Sequence, residues 1–155
     1  EWKMFTFGGQ VERIVRQRKF KGQSGGQIFE RGPDGRHALT DRAPTTVDGV
    51  FEAPPSPFMD DMIAEATQIA RHFDHVRVDF MSDGERYWMG ELTRYNVSGY
   101  LNFGGHDPDS AATKLWDLRQ SWLLTAPHTT RPARLYARAL RRALDGGGHI
   151  DGPQS

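Results

Sequence analysis

Three charged side chains in two neighbouring segments have the clearest potential for chemistry. Residues 75–80 contain Arg77 and Asp79 between apolar residues, and residues 90–93 contain Glu91. The alternation in the first segment predicts a strand with one buried face, so Arg77 and Asp79 share the other face. Carboxylates on adjacent strands are hard oxygen ligands of the kind that Mg²⁺ prefers. A guanidinium beside them can stabilise charge on a transferring phosphoryl group.

The face occupied by Glu91 depends on the turn between the two strands, which is predicted at residues 82–84. A shift of one residue moves every side chain to the opposite face, and a two-residue loop would turn Glu91 towards the core. We predict a loop with an odd number of residues. Glu91 and Thr93 would then join Arg77 and Asp79, with Glu91 as a diagonal neighbour of Asp79.

The alternative is that Arg77 and Asp79 form an exposed ion pair of no functional importance. The basic run 13–21 has a comparable pair of interpretations, either as a cradle for an anionic ligand or as a strand edge protected by charge. The histidines, including His75 and His106, have no partners at metal-ligand spacing and are interpreted as surface or capping residues.

Further strands and a long loop are predicted before this segment. Residues 2–7 and 11–15 are β-favouring runs separated by Gly8 and Gly9, which predicts a hairpin. Residues 21–57 are rich in glycine and proline, which predicts a long loop with one short strand near residues 28–29.

Three helices are predicted from apolar spacing. The first begins with Ser56 as its N-cap and Pro57 near the first helical position. The second begins near Asp107 and Pro108 and carries apolar residues on one face as far as Trp122. The third, at residues 130–144, ends at three glycines, and its arginines (Arg134, Arg138, Arg141 and Arg142) are interpreted as a solvated face. The expected fold class is α+β, with helices packed against an antiparallel sheet of two hairpins.

The composition limits the classes of function. Of the 155 residues, 20 are lysine or arginine and 20 are aspartate or glutamate, so the overall charge predicts neither a nucleic acid partner nor a membrane-surface partner. The absence of cysteine excludes disulfides and thiolate metal sites and fits a cytoplasmic location. No apolar run is long enough for a transmembrane segment.

The order of these motifs resembles the C-terminal half of the TupA-like ATP-grasp family, named for teichuronopeptide synthesis. The similar segments are the aromatic strand at residues 1–7, Arg77-Val78-Asp79 and Gly90-Glu91-Leu92-Thr93. The resemblance implies the C-terminal lobe of an ATP-grasp fold at residues 1–126, without its N-terminal part. Residues 127–145 would be a helical extension and residues 146–155 a disordered tail.

The resemblance also implies an ATP- and Mg²⁺-dependent carboxylate–amine ligase that forms an amide through an acyl phosphate. Its substrates would be an amino acid and a sugar-acid or peptide carboxylate of a surface polymer. Asp79 and Glu91 would bind the metal, Arg77 would contact the transferring phosphoryl group, and Lys3 would face the nucleotide. Substrate-binding positions would be Ser98 and Gly99.

Two other functions remain open from the sequence. A carbohydrate-binding module would stack sugar rings on exposed aromatic residues, the candidates being Trp2, Tyr87, Trp88 and Tyr95. A glycosyltransferase-type enzyme could also use a metal-binding carboxylate pair, with a nucleotide sugar in place of ATP.

Overall fold

The computed structural model describes residues 1–20, 22–42, 44, 47–51, 53–94, 111–128 and 130–146. The predicted substrate-binding residues Ser98 and Gly99 lie outside these ranges, as do Tyr95, His106 and the predicted helix start at residues 107–108. So does the predicted tail after residue 146. The fold is α+β, as predicted, with a six-stranded antiparallel sheet and four α-helices among the described residues.

The strands form one sheet in the order β4-β3-β2-β1-β5-β6. In chain order they are β1 (Trp2–Phe7), β2 (Gln10–Phe20), β3 (Gln23–Arg31), β4 (His37–Leu39), β5 (His75–Ser82) and β6 (Tyr87–Thr93). Both predicted hairpins, β1–β2 and β5–β6, are present, and β1 pairs with β5 to join them.

The prediction of a long loop at residues 21–57 is wrong, because this segment contains β3 and β4. The short strand predicted near residues 28–29 is confirmed as part of β3. The glycines that suggested a loop lie inside β3, where bulky neighbours approach the backbone. A Cβ on Gly26 would lie 2.6 Å from Pro44 Cγ, and one on Gly25 would lie 3.0 Å from Phe51 Cδ1. Glycine in a strand interior often marks such a close approach. Strand β2 is therefore an interior strand, and its basic run does not protect a sheet edge.

Helix α1 (Met59–Ala70) covers one face of the sheet. It begins three residues after Ser56: the Phe58 N–H donates to Ser56 Oγ at 3.2 Å, and the Met59 N–H donates to the Ser56 carbonyl at 3.1 Å. Ser56 thus forms a turn ahead of the helix instead of capping it. The core between α1 and the sheet consists of Trp2, Met4, Val11, Ile14, Phe29, Met62, Ala66, Ala70, Val76, Val78 and Phe80.

The opposite face carries a smaller core of Phe5, Phe7, Val15, Ile28 and Ala112. The single helix predicted as far as Trp122 is wrong, because the chain forms α2 (Ala111–Leu115), a 3₁₀ turn (Leu118–Gln120) and α3 (Trp122–Thr125). Asp117 interrupts the helix with extended backbone angles, and its side chain accepts a hydrogen bond from the Arg119 N–H.

Helix α4 (Arg131–Asp145) agrees with the prediction to within one residue and ends at Gly146. It packs on α3 with only Ala137 fully buried. Arg141 is not simply solvated, because its guanidinium donates to the Leu124 carbonyl of α3. Within the described ranges, no helix is long and apolar enough to cross a membrane.

Candidate functional site

Asp79 on β5 lies directly opposite Glu91 on β6. Side chains of directly paired residues project from the same face of a sheet, so the two carboxylates share the face opposite α1. The prediction of a common face is confirmed. The predicted diagonal relation is wrong, because the two residues are direct partners.

The predicted odd-numbered loop is also wrong. Ser82 pairs with Tyr87, which leaves a loop of four residues. The change of face comes instead from a β-bulge next to Asp79, where Gly90 is the extra residue and turns Glu91 to the side of Asp79. A glycine inside a predicted strand is itself a signal for a bulge, so Gly90 was the sequence feature that indicated this shift of register.

Two cations bind the Asp79 carboxylate. Arg77 donates from Nε to Oδ1 and from Nη2 to Oδ2, both at 2.6 Å, and Lys3 Nζ lies 3.3 Å from Oδ2. The Asp79 side chain is only 3% exposed. The alternative of a solvated surface pair is therefore wrong for Asp79, because this two-point ion pair is buried.

The network continues from Arg77 to β6. Arg77 Nη2 donates to Thr93 Oγ1 at 3.1 Å, and Thr93 Oγ1 donates to Glu91 Oε1 at 2.8 Å. Glu91 Oε2 lies 3.9 Å from Arg77 Nη2, and the Glu91 side chain is 63% exposed. The site thus combines one buried and one accessible carboxylate around a shared guanidinium.

The structure brings together all four predicted site residues that it describes, namely Lys3, Arg77, Asp79 and Glu91. Sequence reasoning missed Glu1, whose Oε1 accepts a hydrogen bond from Lys3 at 2.9 Å. Glu1 directly precedes β1, and its position two residues before Lys3 was a usable signal, because residues i and i+2 of an extended chain share a face.

Asp79 and Glu91 are the two carboxylates that the sequence predicted as metal ligands at this site. Both oxygens of Asp79 accept bonds from cations, and no group of three or more potential ligands lies close enough to hold a metal in the described part of the chain. Mg²⁺ commonly takes one or two protein carboxylates and completes its shell with water and phosphate oxygens. Asp79 and Glu91 match that ligand count.

A second buried carboxylate, Glu12, lies in β2 at another bulge. The partner of Phe5 is Arg13 and that of Thr6 is Val11, which leaves Glu12 as the extra residue. Its Oε2 is buried without a hydrogen-bond partner among the described residues, 4.0 Å from Arg13 Nε. Burial raises the pKa of the Glu12 carboxyl, and Arg13 partly opposes this effect.

His75 is a core residue, so its interpretation as a surface or capping residue is wrong. Its Nδ1 lies 2.7 Å from the Thr6 carbonyl, and its ring stacks on Phe7 with a centroid separation of 4.4 Å. Burial lowers the pKa of His75, while the contact with Thr6 acts in the opposite direction.

The three aromatic residues proposed for sugar stacking that the structure describes do not form one surface. Trp2 is buried in the core beneath α1. Tyr87 donates its hydroxyl to Glu65 of α1 at 2.8 Å. Trp88 is exposed, and as the next residue in the strand it projects from the opposite face. These positions disagree with a carbohydrate-binding groove built on Trp2, Tyr87 and Trp88.

Comparison with known proteins gives no family for this chain. It matches no family model, no curated protein and no solved structure.

Proposed function

We propose that the chain belongs to an ATP- and Mg²⁺-dependent carboxylate–amine ligase of the TupA-like ATP-grasp type, of which it would form the C-terminal lobe. The observation that carries this proposal is the direct pairing of Asp79 and Glu91 on one face, with Lys3 and Arg77 in contact with Asp79. This residue set is the one that the sequence resemblance assigns to the metal and the nucleotide. The reaction would take place in the cytoplasm.

The proposed roles follow from charge and accessibility. Lys3 and Arg77 would bind phosphate oxygens, and Arg77 would hold the phosphoryl group in line during its transfer to a carboxylate. Asp79 and Glu91 would supply the metal ligands, and the bound Mg²⁺ would neutralise phosphate charge. Transfer of the phosphoryl group to a sugar-acid or peptide carboxylate would give an acyl phosphate, and the amine of an amino acid would then displace phosphate from it to form the amide. Ser98 and Gly99 remain the proposed substrate-binding positions.

The ion pairs at Asp79 imply that the metal binds only together with the nucleotide. Asp79 is already neutralised by Lys3 and Arg77, so a free divalent ion would have to displace two cations from a buried carboxylate. Phosphate oxygens can draw the same two cations away, because guanidinium and ammonium groups bind phosphate strongly. Metal binding should therefore depend on the nucleotide.

Binding of Mn²⁺, used as a paramagnetic substitute for Mg²⁺, tests this proposal in the full-length protein. Water-proton relaxation should report tight Mn²⁺ binding when ATP is present and at least about tenfold weaker binding without it. Asp79→Asn and Glu91→Gln should each abolish the ATP-dependent binding, whereas Glu85→Gln, at an exposed carboxylate in the loop of the same hairpin, should not.

Three outcomes would count against the proposal. Equal Mn²⁺ binding with and without ATP would contradict the nucleotide dependence. Retained binding in the Asp79 and Glu91 variants would remove the metal assignment. Stronger binding with a nucleotide sugar than with ATP would favour the glycosyltransferase-type enzyme.

A further inference from the structure

Helix α4 carries an unusual concentration of unpaired positive charge. It contains five arginines: Arg131, Arg134, Arg138, Arg141 and Arg142. Its single acidic residue, Asp145, lies 3.6 Å from Arg119, and Arg141 contacts α3. Within the described ranges, no carboxylate forms an ion pair with the four arginines of α4 other than Arg141, and all four side chains are exposed. Helix α4 is therefore strongly basic, although the charges of the whole chain are balanced.

The helix geometry places these arginines on the outward side. Ala137 is buried, which marks the side of α4 that faces the protein. Leu135 lies two residues earlier, roughly 200° around the helix at about 100° per residue, and so points away from the protein. Arg131, Arg138 and Arg142 fall within roughly 40° of one another, directly beside Leu135. The outward side thus carries a stripe of guanidinium groups.

Apolar groups occupy the other half of the outward side. Leu135 is 55% exposed and Tyr136 is 62% exposed, and the small residue Ala139 lies between them around the helix. On the adjoining α3, Trp122 is 58% exposed. An ordinary solvated helix face is polar throughout, whereas this one places basic and apolar stripes side by side. That arrangement suits a boundary between an aqueous phase and an apolar phase.

We propose that the outward side of α4 binds the surface of a membrane rich in anionic lipid. The helix would lie parallel to the surface, with Arg131, Arg138 and Arg142 on lipid phosphates and Leu135 and Tyr136 at the boundary of the headgroups and acyl chains. Guanidinium groups bind phosphate through paired hydrogen bonds, and tyrosine favours the interfacial layer. A nucleic acid would satisfy the arginines, but its phosphate backbone offers no apolar surface to an outward-facing leucine. The proposal stands independently of the ligase assignment.

Vesicle flotation tests the proposal with the full chain. The protein should float with vesicles in which about a third of the lipid is phosphatidylglycerol, and it should remain unbound with phosphatidylcholine alone. Each arginine near an anionic surface contributes about fivefold to partitioning, so the triple variant Arg131→Gln, Arg138→Gln, Arg142→Gln should bind about a hundredfold more weakly. Leu135→Gln should abolish the part of the binding that persists at high salt.

A matched triple variant distinguishes the effect of this surface on membrane binding from the effect of overall charge. Changing the exposed Arg36, Arg71 and Arg86 to glutamine removes the same net charge elsewhere and should leave flotation unchanged. Equal losses in the two triple variants would overturn the proposal, as would no flotation of the unmodified protein. Binding of a mixed-sequence single-stranded RNA without flotation would overturn it in favour of a nucleic acid partner. Circular dichroism would check that each variant retains its helices.

Discussion

Asp79 is a buried carboxylate whose charge is balanced by two cations on neighbouring positions of the sheet. Lys3 is its partner across β1 and β5, and Arg77 lies two residues before it on β5. Removing one partner of a buried ion pair leaves an uncompensated charge, whereas replacing both with apolar groups is often neutral. Comparing the stability of a single variant with that of the double variant therefore tests whether the ion pair is needed for stability.

Arg77→Met should lower the free energy of unfolding by about 3 kcal/mol, because Asp79 keeps only its longer contact with Lys3. The double variant Arg77→Met, Asp79→Leu should recover most of that loss. Urea denaturation monitored by tryptophan fluorescence would measure both values. A double variant less stable than Arg77→Met would show that the pair stabilises the fold beyond its charge balance. Arg86→Gln, which removes an exposed ion pair with Asp83, serves as the control and should change stability little.

At the scale of elements, the β1–β2 hairpin and α2 fix one another through the backbone of the turn. Gly8 and Gly9 have φ angles of +54° and +77°, values that favour glycine in a two-residue turn. A Cβ on Gly8 would clash with the Leu115 carbonyl oxygen, whereas one on Gly9 would meet no atom of the described residues within 4 Å. The first glycine is therefore required both by its backbone angle and by the approach of α2.

Gly8→Ala should destabilise the protein by about 2 kcal/mol or more, whereas Gly9→Ala should cost about 1 kcal/mol, because both lose the favoured backbone angle but only the first displaces α2. Thermal unfolding would give the difference between the two variants. In Gly8→Ala, the Trp116 side-chain N–H, which donates to Asp74 at 2.9 Å, should shift in the NMR spectrum. Equal stability of the two variants would contradict the close packing of α2 on this turn.

At the scale of the whole molecule, local patterns predicted several of the elements but not the complete sheet. Alternating apolar residues predicted β1 and β5 with their buried faces, and helical spacing predicted α1 and α4. Strand β3 was predicted only near residues 28–29, because Gly25 and Gly26, which resemble loop residues, make room for Phe51 and Pro44 from a later part of the chain. The common face of the site was predicted, whereas its direct register depended on the bulge beside Asp79.

The free energy of unfolding should depend on pH through the titration of Glu12. Burial raises the pKa of its carboxyl above the ordinary value of 4.5, so the folded state is penalised when Glu12 is ionised and the penalty fades as pH falls. Glu12→Gln should therefore be more stable than the unmodified protein at neutral pH. The advantage should shrink as pH falls through the raised pKa and vanish below about 4.5, the unfolded value. Urea denaturation at several pH values would measure this, and a constant difference across the series would refute it.

The position of β1 inside the sheet has a consequence for how the protein is made. Strand β1 precedes the other five in the chain, yet it is hydrogen-bonded to β2 on one side and to β5 on the other. Lys3 and Asp79 are 76 positions apart, which corresponds to roughly 4–15 seconds of ribosomal synthesis at about 5–20 residues per second. During that interval β1 through β4 can pair in succession, while the outer edge of β1 stays open to other strands. The β5–β6 hairpin closes this edge, so the same docking step that assembles the charged site also ends the period in which a nascent chain is most exposed to mispairing.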